Sequence, residues 1–339
     1  MKRDETLLLA HGSGGRLTHE LVRQVFLPAF DNPYLRPLSD SAVLAELPPG
    51  RPALTTDAFV VDPLIFPGGD LGYLSVCGTV NDLAVAGARP LWLTWALVLE
   101  EGLQGELLHA LVEGAARGCR EAGVALVAGD TKVVPRGKGD RAFAITSGLG
   151  VVPVGRDLGD HRVRPGDDLV VSGPLGDHGA TIMACRHGLS GAGLLSDCAP
   201  LAELAETLLA CGAEIHAMHD PTRGGVATAC HEVAARSGVR LVLEEAALPV
   251  RSETRTTCEL LGLDPLYLAC EGRTLIWVAP RHTARLLATL HGHPLGAGAA
   301  RIGWVESRSD TQTPVRLRTA IGGERPVDLL SGSELPRIC

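Results

Sequence analysis

The chain has 339 residues and a formal net charge of −8, with 31 Lys and Arg residues against 39 Asp and Glu residues. At about 150 residues per domain, this length predicts two domains. No block of basic residues stands out, which disfavours nucleic-acid binding because phosphate neutralisation needs a clustered basic face. The 41 glycines and an aromatic content of only 4% suit a compact α/β fold with many tight turns.

The first residues, MKRDETLLLA, do not form a signal peptide, because an acidic pair follows the basic pair and the apolar run is short. The most apolar window, 83–99, is interrupted by Arg89 and Pro90, so no membrane span is expected. The nine cysteines include no Cys-x-x-Cys pair, which disfavours a zinc ribbon or a redox pair. We therefore expect a cytoplasmic protein without nucleic-acid or membrane partners.

Helical and strand-like patterns alternate in both halves of the chain, which predicts two α/β domains. The predicted helices cover 16–29, 72–88, 104–122, 178–187, 201–209, 226–236, 253–261 and 283–290. The predicted strands cover 42–47, 52–61, 91–99, 124–128, 143–152, 168–172, 239–243, 274–279 and 301–305. The order of the strands within a sheet does not follow from these patterns.

Proline and glycine punctuate the stretch 152–166, which predicts the junction between a first domain, 1–155, and a second domain, 156–330. The remaining segment, 331–339, reads SGSELPRIC and is expected to be flexible first and extended afterwards. Nine extended residues reach on the order of 30 Å. The last of them, Cys339, could therefore enter a site elsewhere on the protein.

A glycine-rich motif, His11-Gly12-Ser13-Gly14-Gly15, precedes the first predicted helix. Glycines allow backbone amides to approach a ligand, and a helix N-terminus favours an anion. The motif is not a P-loop, since no Gly-Lys-Ser/Thr follows. A flexible loop that caps the helix fits the motif equally well.

Several aspartates occupy positions typical of metal or phosphate sites. Asp82 lies in the apolar helical segment CGTVNDLAVAGA, where a carboxylate is costly unless it is paired or binds a metal. Asp57 and Asp130 are expected at the ends of strands, where α/β proteins bind ligands. Each aspartate alone fits a turn or a cap. Together they predict a Mg²⁺ site, formed by Asp40, Asp57, Asp82, Asp130 and Asp220.

Three further residues are candidates for chemistry. Lys132 follows Asp130 closely and is expected near the same phosphate region, whereas Glu271 on its own reads as a solvated loop charge. Cys339 offers a thiol, whose thiolate is a nucleophile with a reference pKa of about 8.5. A frayed chain end is the alternative interpretation of Cys339.

Sequence stretches from residue 10 to residue 339 resemble the HypE family of hydrogenase maturation factors, within the aminoimidazole ribotide synthetase-like (PurM-like) ATP-binding superfamily. The matching stretches include AHGSGG, TTDAFVVDPLIFPGGDLG, GTVNDLAVAGARP, GDTKVV, DPTRGG and the final PRIC. NDLAVAGARP and GDTK are shared broadly by the superfamily, whereas Pro336-Arg337-Ile338-Cys339 is specific to the HypE family.

The resemblance implies a two-domain α/β (α+β) fold whose N-terminal domains pair into a β-barrel in a homodimer that shares the nucleotide sites. It implies that ATP and Mg²⁺ bind, with the five aspartates around the metal and the loop 12–15 over the phosphates. The nucleotide contacts that it implies are Gly12, Ser13, Gly14, Gly15, Asp40, Thr56, Asp57, Asn81, Asp82, Gly129, Asp130 and Thr222.

The resemblance also implies an activity, the ATP-dependent dehydration of a carbamoyl group on the Cys339 sulfur to a thiocyanate. Lys132 would neutralise charge on the phosphate, and Glu271 would act as the base. A HypF carbamoyltransferase would load Cys339, and a HypC–HypD iron scaffold would accept the cyanide for a nickel–iron hydrogenase.

Two other hypotheses remain open. One is another enzyme of the superfamily, such as selenophosphate synthetase, thiamine phosphate kinase or aminoimidazole ribotide synthetase. The first of these needs a reactive cysteine near the N-terminal loop, whereas the first cysteine here is Cys77, and none of them explains the terminal motif. The other is a non-catalytic scaffold, which would have no use for five positioned acids.

Overall fold

The computed structural model describes residues 1–189, 193–309, 313–330, 332 and 337–339. Ser331 and 333–336, which belong to the predicted tail and include Pro336 of the terminal motif, lie outside the described residues. The described chain contains two large mixed sheets, one in each half, and a two-stranded ribbon. The first sheet ends at Pro153 and the second begins at Asp168.

The first sheet has four strands in the order β1-β6-β4-β5, so β1 and β5 form its two edges. Neighbouring strands are antiparallel except for β4 and β5. The ribbon of β2 and β3 connects β1 to the first long helix. These strands are β1 (Gly50–Phe59), β2 (Ile65–Phe66), β3 (Gly69–Asp70), β4 (Arg89–Glu100), β5 (Ala125–Val134) and β6 (Ala142–Pro153).

Two helices, α3 (Leu71–Val85) and α4 (Gly105–Ala122), cover one face of the first sheet. Every residue of α3 except Asp82 is buried, and the Asp70 side chain caps the helix by accepting a hydrogen bond from Tyr73 N. α4 ends at Gly123, whose left-handed φ of 68° suits a C-terminal cap. A helical segment precedes them, with α1 (Arg16–Leu21), a π-helical turn (Val22–Phe26) and α2 (Leu27–Phe30).

The second sheet has seven strands in the order β13-β12-β9-β11-β7-β10-β8. These are β7 (Asp168–Val171), β8 (Ile215–His219), β9 (Val239–Glu244), β10 (Leu275–Val278), β11 (Ala300–Ser307), β12 (Val315–Arg318) and β13 (Glu324–Pro326). The helices of this half are α5 (Asp177–Arg186), α6 (Ala202–Ala210), α7 (Gly225–Ser237), α8 (Ser252–Leu261) and α9 (Thr283–His291). Because α3 also contacts α6 and β8, it joins the two halves.

The predicted helices are confirmed within a few residues, but the strands are only partly so. The strand predicted over 42–47 is wrong, since this segment pairs with no strand and Val43 is 89% exposed. Sequence patterns missed β2, β3, β8, β12 and β13, of which β8 is buried on nearly every residue and shows no alternation. Asp130 lies in the middle of β5 rather than at its end.

The described residues include no helix that is both long and apolar enough to cross a membrane.

The close packing of α3 on α4 depends on Gly72, and we predict that Gly72→Ala destabilises the fold. A Cβ atom at this position would lie 1.8 Å from the carbonyl oxygen of Leu111 in α4. We expect the free energy of unfolding to fall by about 1–3 kcal/mol, the usual cost of overpacking. Urea denaturation followed by circular dichroism measures it. Gly292→Ala is the control, because its Cβ would meet only ordinary contacts at 3.5 Å, and equal loss in both variants would contradict the prediction.

Candidate functional site

The five predicted acids fall into two groups at opposite edges of the first sheet. Asp57 on β1 lies opposite Thr146 on β6, which lies opposite Trp95 on β4, which in turn lies opposite Gly129 on β5. Three strand spacings of about 4.8 Å separate Asp57 and Gly129 by about 14 Å. One described chain therefore does not bring all five together: Asp57, Asp82 and Asp220 lie in one cavity, and Asp40 and Asp130 line another pocket.

The first group encloses the Cys339 thiol in a small cavity, which we call the Cys339 cavity. Its volume is about 30 Å³, room for about one water molecule. The thiol and the carboxyl group of Glu271 both line this cavity and lie next to each other. The structure thus joins two of the three predicted catalytic residues with three of the predicted acids. The lining residues are Asp57, Ala58, Phe59, Gly78, Asp82, Asp220, Thr222, Arg223, Glu271 and Cys339.

Strand β1 and helix α3 each carry one of the acids, and a threonine on each element donates a hydrogen bond to the aspartate on the other. Thr79 of α3 donates to Asp57 Oδ2 at 2.9 Å, and Thr55 of β1 donates to Asp82 Oδ2 at 2.7 Å. Because side chains alternate along a strand, Thr55 and Asp57 share the face that α3 covers. Thr56 therefore points to the opposite face, where it donates to the carbonyl oxygen of Thr146.

The main chain of Glu271 is fixed on both sides. Its N–H donates to Asp197 Oδ1 at 3.2 Å, and its carbonyl oxygen accepts from Asn81 Nδ2 at 3.1 Å. Asn81 also donates to Ala199 O and accepts from Leu201 N. With its amide occupied in this way and its side chain buried, Asn81 positions Glu271. The nucleotide contact at Asn81 stays a prediction, and in this conformation its amide group is occupied within the fold.

The Cys339 cavity holds more acidic groups than it can keep ionised. Burial raises the pKa of Asp82, and the neighbouring Asp57 raises it further. Burial, with Asp82 and Asp57 adding to it, raises the pKa of Asp220 to about 7. The pKa of Glu271 lies well above its usual value, mainly through burial and then through Asp220. Bringing negative charges together out of water in this way disfavours their ionised forms.

A magnesium ion fits this arrangement chemically, because carboxylate oxygens are its preferred ligands and its charge would relieve the crowding. Among the described residues, however, no three His, Cys, Asp or Glu side chains are arranged to hold a metal on their own. An ion at Asp57, Asp82 and Asp220 would thus need water or phosphate oxygens as further ligands, as Mg²⁺ commonly does.

The Cys339 thiol is electrostatically disfavoured as a thiolate in this position. Burial raises its pKa well above the usual value, the negative charges of Glu271 and Asp220 raise it further, and the positive charge of Arg223 opposes them. The docked sulfur is therefore protonated and a poor nucleophile when it carries no group. Reaction of the free thiol with an electrophile is favoured outside this cavity.

The second group of predicted residues lines a larger pocket of about 320 Å³, within the size range of small-molecule sites. Aromatic rings of Phe26, Phe30 and Trp95 form its apolar wall, which suits a flat heteroaromatic group. Its polar lining includes Gly14, Asp40, Gly129 and Asp130, all of which were predicted nucleotide contacts.

The other predicted residues lie around these two sites. Lys132 on β5 is exposed and pairs with Asp130 at 3.0 Å. Gly12 packs against β5, where a Cβ atom would lie 2.5 Å from Val133 N. The rest of the glycine-rich loop is closed on itself, because Ser13 donates to Ala10 O. In this conformation the loop lies beside the larger pocket and not over the Cys339 cavity.

Sequence reasoning assigned no role to Arg223, although it lines the Cys339 cavity. It could have been found in the motif DPTRGG, where a basic residue stands between Asp220 and a glycine pair. His178, which contacts the residue before Cys339, gave no such signal, since it reads only as the first turn of a helix.

Comparison with known proteins gives consistent matches over nearly the whole chain. Two family models match, the N-terminal domain of AIR synthase related proteins over residues 38–152 and their C-terminal domain over residues 164–315. Carbamoyl dehydratase HypE of Rhodobacter capsulatus is 50% identical over 99% of this chain and 99% of that protein.

Solved structures agree with these matches. A crystal structure of the hydrogenase maturation protein HypE in complex with ATP is 46% identical, covers 98% of this chain and 100% of its own, and has a TM-score of 0.94. A crystal structure of a HypE–HypF complex is 42% identical over 93% of this chain and 100% of its own, with a TM-score of 0.79.

We predict that Asp220 makes the metal-free protein less stable as the pH rises. The pKa of an aspartate in the unfolded chain is about 3.9, whereas burial raises the pKa of Asp220 in the fold to about 7. The folded state binds the extra proton between these values, so its contribution to stability is complete below about pH 4 and is lost by about pH 7. Urea denaturation in the presence of a chelator measures the free energy of unfolding across this pH range. That free energy should decline less with rising pH in Asp220→Asn than in the wild type.

The exposed Asp4 provides the matched control, because Asp4→Asn should leave the decline unchanged. If the free energy of unfolding fell equally with pH in the wild type and in Asp220→Asn, the pKa of Asp220 would not be raised in the fold.

Proposed function

This chain belongs to the HypE family of carbamoyl dehydratases, and we propose that it uses ATP to convert a carbamoyl group on the Cys339 sulfur into a thiocyanate. The product would supply a cyanide ligand for the iron of a nickel–iron hydrogenase during its maturation. The observation that carries the proposal is the contact between Cys339 and Glu271 inside a cavity lined by Asp57, Asp82 and Asp220.

Dehydration of S–C(=O)–NH₂ must break the carbon–oxygen bond and remove two protons from nitrogen. ATP would supply the phosphoryl group that makes the amide oxygen a leaving group, and Mg²⁺ held by Asp57, Asp82 and Asp220 would offset the phosphate charge. The oxygen would leave as phosphate, and the sulfur would keep the C≡N group. What the chain itself must provide is a base, positive charge near the oxygen, and a dry site.

Glu271 is placed to act as the base. A carbamoyl group on Cys339 would begin one bond from the sulfur that Glu271 already contacts, so its nitrogen would lie within reach of the carboxyl group. Oε1 of Glu271 is buried and accepts no hydrogen bond from the described residues, which leaves it free for a substrate proton. In its ionised form, which a bound cation would favour, Glu271 is a stronger base than an exposed glutamate because burial raises its pKa.

Arg223 would provide positive charge inside the Cys339 cavity. Its charge lies close enough to lower the pKa of Glu271, Asp82 and Cys339. A guanidinium group presents several N–H donors and stays charged. We propose that it stabilises negative charge that develops on the amide oxygen or on the phosphate.

We further propose that two copies of the chain share each active site. The face of the first sheet away from α3 and α4 is uncovered and carries several apolar side chains: Leu54 is 77% exposed, Ala58 is exposed, and Ile145 and Leu149 are half-buried. Apolar faces of this kind need a partner layer. A second sheet that closes a β-barrel over this face would also pair the free edges β1 and β5.

Pairing of the edges explains why one chain separates the acids. β5 of one subunit, with Asp130 and Lys132, would meet β1 of the other, with Asp57. The larger pocket of one chain and the Cys339 cavity of its partner would then form one continuous site for a nucleotide and for the modified cysteine. Lys132, which is remote from Glu271 in a single chain, would reach the phosphate region in this arrangement.

The partners follow from the same chemistry and from the family. The small Cys339 cavity has no room for an enzyme that loads Cys339, so we propose that HypF receives the thiol outside it. We propose that the HypC–HypD scaffold accepts the cyanide in the same exposed position. The complex of a related HypE with HypF supports the first of these contacts.

Glu271→Gln tests the function directly. After incubation with HypF, carbamoyl phosphate and ATP, wild-type protein should gain the mass of a cyano group on Cys339. Without the base, the variant should retain the carbamoyl group, with dehydration slower on the order of 10²–10⁴-fold. Mass spectrometry of the peptide that contains Cys339 measures both species, and Cys339→Ala is the unmodified control. A wild-type Cys339 that is carbamoylated but never dehydrated would refute the proposed activity.

Leu54→Arg tests the homodimer. We expect a charged side chain on the uncovered sheet face to prevent pairing, so light scattering should report a monomer and dehydration should be lost. Ile321→Arg is the matched control, since Ile321 is 96% exposed in a turn outside this face. A wild-type protein that is monomeric would contradict the shared barrel.

Mixing inactive variants shows whether the sites are shared. A heterodimer of Lys132→Ala and Glu271→Gln chains should regain activity, because one of its two sites then contains both native residues. If each chain forms its own site, every site keeps one defect and the mixture stays inactive.

A further inference from the structure

The main-chain carbonyl groups of Arg337 and Ile338, which precede Cys339, are held by two side chains of α5. His178 Nε2 lies 2.9 Å from the carbonyl oxygen of Ile338. The guanidinium group of Arg186 donates to the carbonyl oxygen of Arg337 and, at 2.7 Å, to that of Asp62. Asp62 completes the arrangement by donating its own N–H to the carbonyl oxygen of Arg337 at 3.3 Å.

His178 is fixed as a hydrogen-bond donor. Its ring is fully buried, and burial lowers its pKa to about 4, so the ring is neutral at neutral pH. A carbonyl oxygen only accepts, so the single ring proton lies on Nε2. Nδ1 then accepts from the Ser196 hydroxyl at 2.8 Å, and the edge-to-face ring of Phe66, at 5.3 Å between centroids, restricts rotation.

The side chains of the docked residues add two further contacts. Ile338 is only 4% exposed and belongs to the same apolar core as Ile182 of α5. Arg337 forms an ion pair with Asp140 at 2.5 Å. Arg337 has a φ of 58°, a left-handed conformation that residues other than glycine rarely adopt. This conformation indicates that the surrounding contacts determine the path of the chain here.

We propose that His178 and Arg186 are positioning residues, which dock the segment 337–339 and thereby hold the Cys339 sulfur at Glu271. The catalytic part of this inference rests on the proposed function, whereas the docking part does not. Both residues hold main-chain carbonyl groups of the two residues before Cys339. The dock therefore accepts the segment whether Cys339 carries a thiol or a carbamoyl group, and release breaks these hydrogen bonds together with the Arg337–Asp140 ion pair and the packing of Ile338.

Alkylation of Cys339 tests the docking part. Full-length protein without ATP or partners is treated with N-ethylmaleimide, and the peptide that contains Cys339 is quantified by mass spectrometry. Arg186→Ala and His178→Ala should each speed its alkylation about tenfold, the effect expected when a hydrogen bond of about 1.4 kcal/mol is lost. His178→Gln should restore part of the protection, because its amide can still donate. His187→Ala, exposed just beyond α5, is the control.

A third variant guards against misfolding caused by changes in buried α5. Ile338→Ala alters only the docked segment and should also expose Cys339, while the thermal unfolding midpoint stays near that of the control. If Arg186→Ala and Ile338→Ala, both folded, are alkylated no faster than His187→Ala, the dock does not exist.

Reaction of carbamoylated protein with ATP tests the positioning part. The dehydration rate follows the docked fraction, so in Arg186→Ala and Ile338→Ala it should fall as alkylation approaches the rate of a fully exposed thiol, while loading by HypF is not slowed. Unchanged dehydration in a variant whose Cys339 is alkylated as fast as an exposed thiol would refute positioning. If Cys339 of the wild type is protected from alkylation but its carbamoyl group is never dehydrated, the proposed function is refuted and the docking part of the inference is retained.

Discussion

The crowding of acidic groups around a buried sulfur constrains everything else at this site. Glu271 and Asp220 lie near Cys339, and water is largely excluded. Under these conditions the thiol remains protonated, so the docked sulfur is protected from electrophiles. The same negative charge favours a cation and leaves Glu271 as a strong base. On the proposed function, this one electrostatic feature would separate two chemical tasks, because the sulfur would be loaded where it is solvated and processed where it is buried.

A single turn of α3 connects this electrostatic centre to both halves of the protein. Thr79 and Asp82 face β1, where they exchange hydrogen bonds with Asp57 and Thr55. Asn81 points to the other side and fixes the main chain of Glu271. The side chains of consecutive helical residues point in directions about 100° apart, so neighbouring residues of α3 can contact different parts of the protein. The position of Asp57 and Asp82 relative to Glu271 thus depends on a helix that is almost wholly buried and cannot shift easily.

The sequence could reveal which residue types this site contains, but not that the predicted acids are divided into two groups. Asp82 stood out because a carboxylate in an apolar helix needs a partner, and Cys339 because an extended segment could deliver it. The role of Asn81 was hidden, since its partners Ala199 and Glu271 lie 118 and 190 residues away. The division of the acids into two groups was hidden too, because it depends on strand order, which short apolar patterns do not encode.

The segment 337–339 is held through its main chain by His178 and Arg186, and few contacts suffice to dock it. Because the segment belongs to the chain that binds it, docking is intramolecular, and its effective concentration reaches the millimolar range for a short connection. A pair of hydrogen bonds from His178 and Arg186, with one buried side chain, can then hold the docked state without making it permanent. Tighter binding would slow release and keep the sulfur from partner proteins, whereas weaker binding would leave Glu271 without its substrate. A dock of intermediate strength serves both steps on the proposed function.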